Sequence, residues 1–150
     1  MKLISCVGQE FLVTVDMGGN MRMLYLRDLN REPSKYSNIT PQPDNSTWSV
    51  DGAAVAPPRV AVGSNTHNVT VYDLSTGGKT TVSAHKHNVP CVSFSPCGKY
   101  LATTSIDKTL KIWEEGDSGY KCTRMTVPSE DWGWAVQWID KNNCEISLKD

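Results

Sequence analysis

A chain of 150 residues with 39 % hydrophobic side chains is long enough for the core of one ordinary domain. Its 15 Lys+Arg against 16 Asp+Glu leave a formal net charge of -1, so neither nucleic acid nor an anionic membrane is an expected partner. Cys6, Cys91, Cys97, Cys122 and Cys144 are scattered without a C-x-x-C pair, and no stretch approaches transmembrane length; free thiols and a nuclear or cytoplasmic location are predicted.

Helical periodicity is scarce. Short apolar alternations are broken instead by Gly, Pro, Asn and Asp at intervals of about eight to twelve residues, which predicts an all-β chain of many short strands. Phe11 to Val15, the turn Asp16 to Asn20, and Met21 to Leu26 form the first strand–turn–strand unit. Residues 31–47 are rich in Pro, Ser and Asn and read as an inserted loop. Trp48 to Asp51 is the next predicted strand, Ala53 to Pro58 an enlarged hairpin loop, and Val60 to Tyr72 a further strand pair. Val89 to Ser95, Tyr100 to Ser105 and Thr109 to Trp113 are three strands separated by Ser95-Pro96-Cys97-Gly98 and Ile106-Asp107-Lys108. Proline presets φ in the first of these turns, and glycine supplies the residue free to take φ > 0. Val136 to Trp138, the turn Lys141 to Asn143 and Glu145 to Leu148 would open one more unit.

The segment from Ala84 to Glu115 resembles a WD40 repeat, with Ala84-His85 where the pattern has Gly-His, Cys97 where it has Asp, and Trp113-Glu114 where it has Trp-Asp. The resemblance implies a blade of a β-propeller and a polar chain formed by His85, Ser105, Asp107 and Trp113. Those groups are chemically compatible: the indole N–H only donates, a hydroxyl does both, and imidazole links it to a carboxylate. Val60 to Tyr72 aligns on Leu101 to Trp113 without a gap, Ser64 falling on Ser105 and Thr66 on Asp107, so this second copy is expected to lack a complete chain.

The fold expected is therefore an all-β, WD40-type partial propeller of about three and a half four-stranded blades, over residues 1–40, 46–83, 84–127 and an incomplete 128–150. Propellers protect their strand edges by closing with typically four to eight blades. Either the chain is part of a longer ring or it completes one by association.

The histidines His67, His85 and His87 do not match a helical or finger spacing, so no metal and no cofactor is expected. No nucleophile elbow, phosphate loop or acidic pair is present, which favours a binding role over an enzyme. Propeller loops present rigid groups around a central channel, and Asn88, Pro90, Ile106 and Trp132 are the candidate contacts for a protein or peptide partner. Trp132 belongs to the tryptophan pair Trp132-Gly133-Trp134, a composition common at binding hot spots. Phe11 to Asp16, Gly63 to Asn65 and Trp132 to Trp134 are similar to a fungal WD40 family that regulates transcription of ribonucleotide reductase genes and is linked to a cullin ubiquitin ligase. That resemblance implies a transcription-related adaptor. The alternatives are a propeller enzyme with a site in the central channel and a chromatin factor associated with nucleic acid.

Overall fold

A computed structural model describes residues 2–6, 9–25, 37–39, 46–53, 55–126 and 131–139. Among the described residues twelve strands pair in three antiparallel sheets, each running in chain order. The first blade comprises β1 (Lys2–Cys6), β2 (Gln9–Val15), β3 (Met21–Tyr25) and β4 (Ser37–Ile39). The second comprises β5 (Thr47–Ala53), β6 (Arg59–Ser64), β7 (Asn68–Asp73) and β8 (Lys79–Ser83). The third comprises β9 (Cys91–Phe94), β10 (Tyr100–Thr104), β11 (Leu110–Gly116) and β12 (Gly119–Thr126). This is the all-β, four-stranded organisation of a partial WD40 propeller.

Burial follows strand position within a blade. On β6 every residue from Arg59 to Gly63 is buried, because blade two has a neighbour on each face. Val60 and Val62 pack with Val13, Met21, Met23 and Tyr72 towards blade one. Ala61, pointing the other way by strand alternation, joins Val69, Val89, Phe94, Leu101 and Trp113 between blades two and three. Each buried valine or leucine contributes about 1.5–3 kcal/mol relative to exposure. The outer strands β8 and β12 are mostly exposed, as their polar sequences require.

Blades two and three repeat one another closely. Val60 pairs with Tyr72 as Leu101 pairs with Trp113, and the turns between these strands place His67 and Lys108 at the same φ of 69°. The gapless alignment thus extends to backbone conformation. The blades are also joined by one recurring hydrogen bond. Thr47 N–H donates to Asp16 C=O (3.3 Å), Val89 N–H to Ser64 C=O (3.1 Å) and Gly133 N–H to Ser105 C=O (3.1 Å). In each case the start of an inner segment is tied to the end of the second strand of the preceding blade.

Between blades two and three the tie is charged as well. The buried guanidinium of Arg59 donates through Nη2 to Gly98 C=O (2.9 Å) and through Nη1 to Tyr120 Oη (3.0 Å) and Glu115, and lies over the Phe94 ring. The Asp51 carboxylate accepts from the Phe94 N–H at 2.8 Å. Gly98 makes this possible: its φ is 72°, and a Cβ there would fall 2.3 Å from Val55 Cγ2 and 3.0 Å from Arg59 Nη2.

Two sequence expectations need correction. Residues 31–47 are not wholly loop, since Ser37–Ile39 pairs with β3 as the fourth strand of blade one and Thr47 begins β5. Three residues, two of them polar, are too few to display alternation. Val136 to Trp138 forms no strand, although residues 131–139 take the inner-strand place through the Gly133 hydrogen bond. The predicted turn Lys141–Asn143 and strand Glu145–Leu148 lie outside the described residues.

Candidate functional site

Two features of blade three bear on function: the polar chain that stiffens it and the loop face that the chain supports. His85 follows β8 in the connection to β9, and its side chain is fully buried. Its Nδ1 lies 3.2 Å from Asp107 Oδ2 and 2.9 Å from Thr109 Oγ1, and its Nε2 lies 2.7 Å from Thr103 Oγ1. The Trp113 indole N–H donates to the same Thr103 oxygen at 3.0 Å. Donor capacity then orders the chain. The indole donates to Thr103, Thr103 O–H donates to Nε2, and the proton on Nδ1 faces Asp107.

The hydroxyl expected in this chain was Ser105, and that assignment is corrected. Leu101 is the residue opposite Trp113, which makes Thr103 the diagonal neighbour within reach of the indole, whereas Ser105 lies beyond the end of β10. Ser105 instead closes the adjoining turn, donating to His87 C=O (3.1 Å) and accepting from the Asp107 N–H (3.0 Å). His85, Asp107 and Trp113 come together as expected from the repeat pattern. Thr103 and Thr109 are the members that the sequence reading missed; the strand register is the signal that finds Thr103.

Electrostatics fix the charge states. Burial lowers the His85 pKa, the charge of Lys111 adds to that, and Asp107 only partly opposes it, so the imidazole is neutral near pH 7. For Asp107, burial acts to raise the carboxyl. The Lys86 N–H, the Thr109 hydroxyl and N–H, and His85 outweigh it and hold the group at about 2.

Blade two lacks this chain. Val62 stands where Thr103 does, Tyr72 where Trp113 does, and Thr66 pairs with Ser64 across 2.6 Å between hydroxyl oxygens. Buried among valines and methionines, the Tyr72 hydroxyl has no partner among the described residues, and burial pushes its pKa to about 12.

The loop face brings the candidate contact residues together. Ile106 N–H donates to Asn88 C=O at 3.1 Å, so the turn after β10 is pinned to the approach to β9. Asn88, Pro90 and Ile106 are half-buried there, and His87 stacks on His67 of blade two at 5.8 Å. Trp132 is 55 % exposed and meets Trp134 edge-on at 6.0 Å; Trp134 stacks on Trp48 at 6.5 Å.

The sequence profile of the family described as "WD domain, G-beta repeat" matches residues 78–114. Over 147 residues the chain is 37 % identical to a WD40 repeat-containing protein of Dictyostelium discoideum, covering 94 % of this chain and 20 % of that protein. It is 32 % identical over 149 residues to an uncharacterized WD repeat-containing protein of Schizosaccharomyces pombe, covering 89 % of this chain and 29 % of that protein. It is also 41 % identical over 113 residues to the Poly(A)+ RNA export protein of the same yeast, covering 69 % of this chain and 30 % of that protein. The chain spans less than a third of the length of each of these relatives.

Proposed function

Since the chain belongs to the WD40-repeat family, we propose that it is a noncatalytic scaffold that binds proteins or peptides through the loop face of its blades. The observation that carries this reading is the hydrogen bond between Ile106 and Asn88, together with the buried chain from Trp113 to Asp107 beneath it. Loops held this firmly lose little conformational freedom when a partner docks, so more of the contact energy appears as affinity.

The finer reading is an adaptor in transcriptional regulation of ribonucleotide reductase genes or in substrate recruitment to a cullin ubiquitin ligase, working in the nucleus or cytoplasm. Its support is the resemblance carried by Phe11 to Asp16, Gly63 to Asn65 and Trp132 to Trp134.

Affinity purification with the tagged chain, followed by mass spectrometry, tests both levels. Partners retained by the native chain and lost by Ile106→Asp at unchanged melting temperature are expected, with a cullin complex among them for the finer reading. An identical partner set from both chains would remove the loop face from the proposal, and no retained protein at all would remove the scaffold.

A further inference from the structure

The hydrogen bonds that tie successive blades make Thr47, Val89 and Gly133 equivalent, so the residues that follow them, Trp48, Pro90 and Trp134, are equivalent too. Two of these three neighbouring inner positions carry indoles, and the one between them carries only a pyrrolidine ring. The indoles of Trp48 and Trp134 therefore reach one another, with centroids 6.5 Å apart and planes inclined by 25°. Trp132 adds a third ring, inclined by 60° to Trp134 at 6.0 Å. All three remain about half exposed, at 41 %, 53 % and 55 % for Trp48, Trp134 and Trp132. Each inner segment is anchored immediately before its tryptophan, so the rings project from fixed backbone.

Three exposed indoles in contact offer negative π-faces, and the spacing lets one cation lie within about 6 Å of more than one centroid. The composition of the segments that carry the rings fits that use. Neither contributing segment, 46–51 or 131–139, contains a Lys or Arg. The exposed Lys86 and Lys108 belong to the loops of blade three, where the Lys108 N–H shares the Ser105 carbonyl with that of Gly133.

We infer that Trp48, Trp132 and Trp134 form a receptor for a basic side chain, arginine or lysine, presented by a peptide docking on the loop face. This rests on the scaffold reading and names the chemistry of its partner: an unstructured segment carrying an exposed cation.

The test is a titration of the intact chain with N-acetyl-arginine amide, followed by the five tryptophan indole N–H signals in NMR. The neutral isostere N-acetyl-citrulline amide is the control. Saturable shifts of the Trp48, Trp132 and Trp134 signals are expected, about fivefold tighter for arginine than for citrulline. Trp113, whose indole is occupied by Thr103, should not respond. Trp132→Ala should weaken the response, and the comparison of the two ligands needs no variant to fold. Equal response to citrulline, uniform shifts of all five signals, or no shift across the millimolar range would overturn the inference. So would tighter binding of an oligouridylate at the same three signals, which would indicate base stacking. A chain that takes up arginine but captures no protein loses only the scaffold reading. One that captures partners through Ile106 but ignores arginine loses only this inference.

Discussion

Thr103 Oγ1 lies 2.7 Å from His85 Nε2 and, on its other side, accepts the Trp113 indole proton, so one threonine joins the connection between blades to the third strand of blade three. Replacing it with valine keeps the shape and removes both bonds, stranding a buried indole N–H and an imidazole nitrogen. Thr103→Val is expected to destabilise the chain by about 2–4 kcal/mol, and Thr103→Ser by about 1 kcal/mol or less. Ser105→Ala, outside the chain, is expected to cost about 1 kcal/mol. Urea unfolding followed by tryptophan fluorescence ranks the three; a larger loss for Ser105→Ala than for Thr103→Val would contradict the assignment.

The same chain dictates how stability depends on pH. Because the His85 pKa is lowered on folding, the unfolded chain binds the extra proton more readily, and stability falls as pH drops below the ordinary histidine value of 6.5. Asp107 is held at about 2 against 3.8, so its contribution is full above 3.8 and disappears as pH falls towards 2. Both groups act in the same direction, giving two successive losses on acidification. After allowance for solvent screening, the Asp107 step is worth about 1–2 kcal/mol. Melting temperatures from pH 8 to pH 2.5 should show both limbs in the native chain, with the lower limb reduced in Asp107→Asn. An unchanged lower limb in that variant would place its origin elsewhere.

Most of blade three was legible because its turn residues and apolar alternation agree, from Val89 through Trp113. The choice between Thr103 and Ser105 was not, since both are hydroxyls two positions apart and only strand register says which one faces the indole. Arg59 was invisible as a core residue: a charged side chain at the start of a strand reads as solvated, and its partners Gly98, Glu115 and Tyr120 come from the next blade. The contact between Trp48 and Trp134 was hidden similarly. The two rings belong to inner segments two blades apart, and their equivalence appears only once the inter-blade hydrogen bonds are seen.

Gly98 should be intolerant of even one methyl group. Alanine there would adopt a left-handed φ of 72° and place its Cβ within 2.3 Å of Val55 Cγ2, next to the guanidinium that ties blades two and three. Backbone strain of about 1 kcal/mol and overpacking of about 1–3 kcal/mol add in the same direction. Gly98→Ala is therefore expected to lower stability by about 2–4 kcal/mol, while Gly77→Ala, at a similar φ with nothing near its Cβ, should cost only the backbone part. Equal losses at the two sites in denaturant titrations would show that contact with Arg59 and Val55 is unimportant.

Tyr72 presents the opposite case, a polar atom whose removal should help. Its hydroxyl is buried among Val13, Met21, Met23, Val60 and Val62 without a partner among the described residues. Tyr72→Phe keeps the ring and drops that oxygen. Its stability is expected to be unchanged or raised by up to about 1 kcal/mol. Trp113→Phe, at the equivalent position of blade three, gives up a bonded N–H and should lose about 1–3 kcal/mol instead. The contrast sets a ring bonded into the polar chain against one that is not, with the cavity left by the smaller ring adding to the Trp113 loss. A comparable loss in Tyr72→Phe would mean that its hydroxyl is satisfied in solution, and blade two would then need a polar tie of its own.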